Sequence, residues 1–147
     1  MERVTDLSGL DFLQGIVDGR VPPPPMAVTL GFALAHVAPG EAVFTCTPGP
    51  AHYNPIGVVH GGLAATLLDS ATGCAVHSTL PVGVGYTTVT LNVDLLRPLT
   101  ETTGPVRCVA RLVHRGSRVG MAEGEVVAER DGKVYARGRS VCLILGP

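Results

Sequence analysis

Two hydrophobic periods divide this chain. Through residues 63–77, apolar and small side chains recur at helical spacing. Leu63, Leu67, Ser70 and Cys74 form one line, and Ala64, Leu68, Ala71 and Ala75 the next. Nearly every side of this stretch is apolar or small, the pattern of a buried helix rather than a surface one. Asp69 is its only formal charge. Aspartate is a mediocre helix former, and a buried carboxylate is costly unless paired or hydrogen-bonded. The turn-like run Asn54-Pro55-Ile56-Gly57-Val58-Val59-His60-Gly61-Gly62 leads into it.

Elsewhere the pattern is shorter or tighter. Residues 8–18 predict a short amphipathic helix capped by Ser8, with Leu10, Leu13, Ile16 and Val17 as its apolar stripe and Gly19 as its stop. Pro22 to Pro25 predict a stiff extended connector. From Ala27 the period becomes two: Val28, Leu30, Phe32 and Leu34 alternate with smaller residues as a first strand. Pro39-Gly40 turns the chain into a second strand through Ala42, Phe44 and Cys46. Beyond the long helix, residues 87–96 alternate strongly, with Val89, Leu91, Val93 and Leu95 facing one way and Thr88, Thr90, Asn92 and Asp94 the other. Three more strands follow over residues 106–113, 119–129 and 133–145. Asp131-Gly132 is a strong hairpin signal between the last two.

Short turns make the late strands antiparallel neighbours. Their shared apolar face needs a cover, and the long helix supplies it. An α+β fold follows: about six antiparallel strands wrapped around one central helix, the hotdog architecture, with a short helix in front. The expected division is residues 1–25 for that helix and its proline-rich connector and 26–147 for the core of one domain.

Composition narrows the function. The 147 residues are 46% apolar and 16% charged, with a net charge of −1. That balance fits a folded domain and offers no basic surface to nucleic acid or anionic membrane. No apolar stretch reads as a membrane span or signal core, so a cytoplasmic location is expected. Cys46, Cys74, Cys108 and Cys142 lie far apart with no CxxC pair, and the histidines lack ligand spacing. No metal and no redox or other cofactor is expected.

The central run resembles the hotdog-fold acyl-CoA thioesterases, in particular the PaaI-type branch. That family's pattern is an Asn, a Gly, a His-Gly-Gly and then an acid. Here these are Asn54, Gly57, His60-Gly61-Gly62 and Asp69, with no departure in spacing. The resemblance implies hydrolysis of an acyl-CoA thioester, of aromatic (phenylacetyl-type) or medium-chain acyl groups. A non-catalytic acyl-CoA-binding hotdog protein is the alternative.

The residues fit that chemistry. First-turn amides at Gly61 and Gly62 lack intrahelical partners and point outward at the positive end of the helix dipole, a site for an oxyanion. Asp69 reads as general base or nucleophile. It lies eight residues past Gly61, about 12 Å along one helix. One carbonyl group cannot be served by both from a single chain. A symmetric dimer with antiparallel helices can bring Gly61 of one chain to Asp69 of the other, and pairing of dimers into a tetramer is expected from the resemblance. Asn54 either orients the water or carbonyl, or holds the turn. By composition His60 could serve as a base; the resemblance makes it an orienting residue beside Asn54. The resemblance also implies a hydroxyl that holds the acid or water at the start of the third strand, Thr88 or its neighbour Thr87. Arg115, Ser117 and Arg118 cluster in a turn and are candidates for CoA phosphates, or a solvated loop.

Overall fold

The computed structural model describes residues 4–146; residues 1–3 and 147, the ends of the expected 1–147 span, lie outside it. Ser8 starts the first helix, α1 (Gly9–Asp18): its hydroxyl accepts the Asp11 N–H at 3.1 Å, and Gly19 ends the helix in the left-handed conformation at φ 81°.

The next element corrects an expectation. Residues 25–30 form a second helix, α2 (Pro25–Leu30), instead of connector and strand. Pro25 stands at its first position, where a missing N–H leaves no bond unmade and the ring already holds a helical φ. Gly31 closes it at φ 74°. Val28, which reads as part of an apolar alternation, is 69% exposed. The first strand therefore begins later, as β1 (Phe32–Ala38).

Then come β2 (Glu41–Cys46), α3 (Gly61–His77), β3 (Gly85–Leu95), β4 (Val106–Arg115), β5 (Val119–Ala128) and β6 (Val134–Leu145). The strands form one antiparallel sheet in the order β1-β2-β4-β5-β6-β3, curled around α3, which is the hotdog arrangement. On the side of α3 that meets the sheet, Leu67, Leu68, Ala71, Ala75 and Val76 have no exposed surface. Burying each large side chain among them stabilises the fold by about 1.5–3 kcal/mol. Small residues on the sheet let the helix come close: a Cβ at Gly120 would stand 2.7 Å from Val76 Cγ1, and one at Gly138 3.1 Å from Leu68 Cδ1.

β3 positions the site. It is the last strand of the sheet, with one edge unpaired. It lies along a ridge of α3 made by Gly61, Asp69, Gly73 and His77, set at multiples of four residues. Leu95 rests on Gly61, Thr88 bonds Asp69, and Tyr86 rests on Gly73 and His77. A bulge between Thr88 and Thr90 breaks the expected alternation. Before it the half-buried positions are Gly85, Tyr86 and Thr88; after it they are Leu91 and Val93. Val89, expected on the apolar face, is 59% exposed, and Thr88, expected on the outer face, turns to the helix.

The sheet's outer face carries charges of both signs, among them Arg107, Arg111, Glu123 and Glu125, all exposed. Its ion pair Arg137–Glu125 spans 3.7 Å in the open, worth about 1 kcal/mol at most. The four cysteines are free thiols. Among the described residues no helix is long and apolar enough to cross a membrane.

Candidate active site

At the N-terminal end of α3 the backbone supplies the chemistry. The preceding loop is closed by the Tyr53–Val59 bridge and by Asn54, whose N–H donates to the Val58 carbonyl at 2.8 Å. The Asn54 side-chain oxygen accepts the N–H groups of Ile56 at 3.0 Å and Val58 at 3.3 Å. Of the two roles open to Asn54, the structure shows the turn-holding one for its oxygen. Asn54 also lines a cavity of about 230 Å³, whose wall includes Val58, His60, Gly61, Leu95 and Leu99.

His60 is the N-cap of α3. Its Nδ1 accepts the Gly62 N–H at 2.8 Å, which leaves Nε2 to carry the ring N–H. The His60 carbonyl accepts the Leu63 N–H at 3.0 Å. Two of the three first amides are therefore engaged, and among the described residues the Gly61 N–H alone of the three has no partner. The two glycines have different reasons. At Gly62 a Cβ would stand 2.8 Å from His60 Nδ1 and displace the cap; at Gly61 it would stand 2.5 Å from Leu95 Cδ1.

Two turns along α3, side chains take over. Thr88 donates its hydroxyl proton to Asp69 Oδ1 at 2.9 Å. This brings together two residues singled out in the sequence; Thr87 is exposed and points elsewhere. Asp69 is half-buried, on a flank of α3 where Gly61, Gly62, Ala65, Thr66, Ser70 and Cys74 are also only partly covered. Around the carboxylate stand soft, weakly polar groups. Burial pushes the Cys74 thiol up to about 12, and the nearby Asp69 charge adds to the rise. Cys142 Sγ lies 3.9 Å from the Thr88 hydroxyl. This is a carboxylate held by one hydroxyl beside two sulfur atoms, with no cation paired to it among the described residues. Such a group can take a proton or attack a carbon.

The structure does not bring Gly61 and Asp69 of one chain together. They remain eight residues apart on one helix. The turn with Arg115, Ser117 and Arg118 is exposed, and Arg115 donates to the Gly116 carbonyl at 2.8 Å. The Arg118 carbonyl accepts the Ile144 N–H at 2.8 Å, which ties the turn to the same end of the sheet as Thr88. Among the described residues no group of three His, Cys, Asp or Glu side chains could share a metal ion.

Sequence reasoning did not find Leu95 or Tyr86 as parts of the site. Both lie in a strand read only for its alternation. Only the contact with Gly61 and Gly73 reveals them, although the two glycines on an otherwise good helix were a signal that something sits close.

Residues 56–135 match the family described as the thioesterase superfamily. A Halobacterium salinarum protein whose name suggests an esterase is 48% identical over 77 residues, so the match spans about half the length of each: 51% of this chain and 49% of that one. Human acyl-coenzyme A thioesterase 13 is 27% identical over 106 residues, 72% of this chain and 74% of that one. The crystal structure of a phenylacetic acid degradation-related protein from Ralstonia eutropha superposes with a TM-score of 0.79 at 33% identity, covering 90% of this chain and 98% of that one.

Proposed function

The chain belongs to the thioesterase superfamily, and on that premise we propose that it hydrolyses acyl-CoA to the free acid and CoA. The observation that carries the reading is the division of α3: one free N–H at Gly61, and two turns on a carboxylate held by Thr88. Each half fits one side of acyl transfer. Acyl groups of the aromatic (phenylacetyl-type) and medium-chain kinds are the proposed substrates; the Ralstonia protein's name speaks of phenylacetic acid degradation, and the human relative's name of acyl-CoA in general.

In this reading water attacks the thioester carbonyl carbon and gives a proton to Asp69. Negative charge grows on the carbonyl oxygen and is met by the N–H of Gly61 of the partner subunit. The carbon–sulfur bond then breaks, and the CoA sulfur takes a proton back from Asp69. Asp69 can also attack first, giving an anhydride that water opens; both routes use the same two contacts. Thr88 keeps the carboxylate oriented throughout. His60 holds the N-terminal turn, so that the Gly61 N–H points outward.

A dimer is part of the proposal, since about 12 Å of helix separates the two halves. Two features support it. The unpaired edge of β3 is 11 residues long, and Val89, Leu95 and Leu96 beside it are 59%, 58% and 53% exposed. Long apolar edges of this kind pair with another strand. The flank of α3 bearing Gly61, Ala65 and Asp69 is partly uncovered on the same side. Further pairing into a dimer of dimers, through the mixed charges of the outer sheet face, is proposed with it.

The test is CoA release from a panel of acyl-CoAs, with Asp69→Asn as the paired variant. Wild type should turn over at least one member, and the variant should lose roughly 10²- to 10⁴-fold while staying folded. No release from any acyl-CoA sinks the proposal; near-wild-type turnover by the variant removes Asp69 from it.

A further inference from the structure

The loop before α3 is a narrow ribbon with His52 at its base. His60 donates its N–H to the His52 carbonyl at 2.7 Å, Tyr53 bridges Val59, and Asn54 donates to Val58. Gly57 turns the tip at φ 91°. The returning strand of the ribbon runs straight on into Gly61. Whatever fixes the ribbon therefore fixes the direction of the Gly61 N–H.

One set of ties comes from the chain beyond β3. The Leu99 carbonyl accepts the Val59 N–H at 2.9 Å, and the Tyr53 hydroxyl accepts the Glu101 N–H at 2.8 Å. The tie to α2 comes from the half-buried ring of His52. Its Nδ1 accepts the Gly49 N–H at 3.0 Å, which leaves Nε2 to donate to the Leu30 carbonyl at 2.6 Å. Leu30 ends α2, where carbonyls have no partner within the helix. One ring thus closes that helix end and holds the turn from Gly49 to His52.

His52 and His60 act in series. Both ring nitrogens of His52 are engaged by backbone, so the ring offers the substrate nothing. The His52 carbonyl holds the His60 N–H, and the His60 ring takes the Gly62 N–H. A backbone donor stabilises growing negative charge only when it is already aimed. Small misplacements at a reacting centre are costly.

We propose that His52 is a positioning residue: by tying α2 to the base of the ribbon it fixes His60 and, through it, the aim of the Gly61 N–H. The proposal rests on the thioesterase reading above.

Three variants divide the contacts of the ring. His52→Phe keeps a flat ring and loses both bonds. His52→Gln can set an N–H near the place of Nε2, and His52→Asn an oxygen near that of Nδ1. With a substrate that wild type turns over, His52→Phe should lower kcat about tenfold, part of the roughly 10²- to 10³-fold worth of a whole oxyanion donor. KM should not change, because the contact tightens only in the transition state. His52→Gln should recover most of the loss and His52→Asn little. In a Gly61→Pro background, where the N–H is absent, His52→Phe should add no further loss; a purely structural role would add its own in both backgrounds. Wild-type kcat in His52→Phe, an added loss in the Gly61→Pro background, or equal kcat in the Gln and Asn variants overturns the proposal. If His52→Phe does not fold, the comparison of Gln with Asn decides. A second readout needs no turnover: the amide NMR signal of Gly61 should move in His52→Asn and stay near its wild-type place in His52→Gln, and a signal unmoved in both overturns the proposal. Failure of the wild type to release CoA from any acyl-CoA is a different result: it sinks the thioesterase reading, while the NMR signal still reports whether His52 aims the amide.

Discussion

The two ends of the candidate site are built in opposite ways. At Gly61 the working group is a backbone N–H, and the nearby side chains His60 and Asn54 shape the turn that exposes it. At Asp69 the working group is a side chain, and the backbone matters only by bulging at Val89 to swing Thr88 inward. The first end depends on a few consecutive residues. The second depends on a strand that arrives much later in the chain. A local motif can therefore specify the first end almost alone, while the second exists only after the sheet has closed.

The largest expected effect tests whether the two ends serve one site from different chains. Gly61→Pro removes the free N–H. Proline suits the first helical position, and His60 before it has a ψ of 132°, which proline tolerates. The ring would meet Leu95 Cδ1, the tip of an exposed side chain; Gly61→Ala, which keeps the N–H, controls for that contact. Gly61→Pro and Asp69→Asn should each be nearly inactive. Co-expressed, half the dimers are mixed and each has one intact site, so about a quarter of wild-type activity should return under two-fold symmetry. No recovery, with mixed dimers present and both variants folded, would put both ends into one chain's site.

Next comes the hydroxyl at the second end. Thr88→Val removes the hydrogen bond to Asp69 Oδ1 without changing the shape of the residue. It should lower kcat by about tenfold or more, as expected for a bond to a charged group. Thr88→Ser should restore most of it. Equal kcat in Thr88→Val and wild type would make the contact one of packing only.

The same division explains what the sequence made legible. The long helix, its glycine pair and its lone acid stand out because small and apolar residues crowd around a single charge. The strands after it were read with ends within about two residues of those observed, since alternation over a half-covered face is a strong signal. Residues 25–30 were misread because Val28 and Leu30 alternate as a strand would, while a proline at the first helical position and a glycine at the stop say helix. The bulge at Val89 was invisible: nothing in Thr88-Val89-Thr90 marks an extra residue, and pairing with β6 decides it. Leu95 and Tyr86 joined the site only through contacts with glycines on another element.

A smaller effect concerns the turn at Arg115 and Arg118, which shares an end of the sheet with Thr88. If these arginines meet the CoA phosphates, replacing both with Ala should raise KM for acyl-CoA several-fold and leave kcat nearly unchanged, because phosphate contacts are equal in ground and transition states. Thioesters lacking the nucleotide should not respond. An unchanged KM would return the turn to solvent.

The smallest expected effect lies outside both ends and so marks their limit. His77 is on the same ridge of α3, 6% exposed between Phe12 and Tyr86, and burial lowers its pKa. The unfolded chain then binds this proton more readily than the folded one. Its neutral form is compatible with full stability above the unfolded value of about 6.5. As pH falls below that, the unfolded state gains a proton that the folded state resists, and stability drops until the folded pKa is passed. Tm should therefore decline from about pH 7 towards pH 5, and His77→Phe, which keeps the aromatic contact, should flatten part of that decline. The other histidines contribute equally to both proteins, so the difference between the two curves isolates His77. At neutral pH kcat should be the same in both. A parallel decline in wild type and variant would show that His77 takes its proton as readily in the folded chain as in the unfolded one. A changed kcat would mean that the ridge carries strain from His77 through Tyr86 to Asp69, and that the acid end of the site extends further along the helix than its hydrogen bonds show.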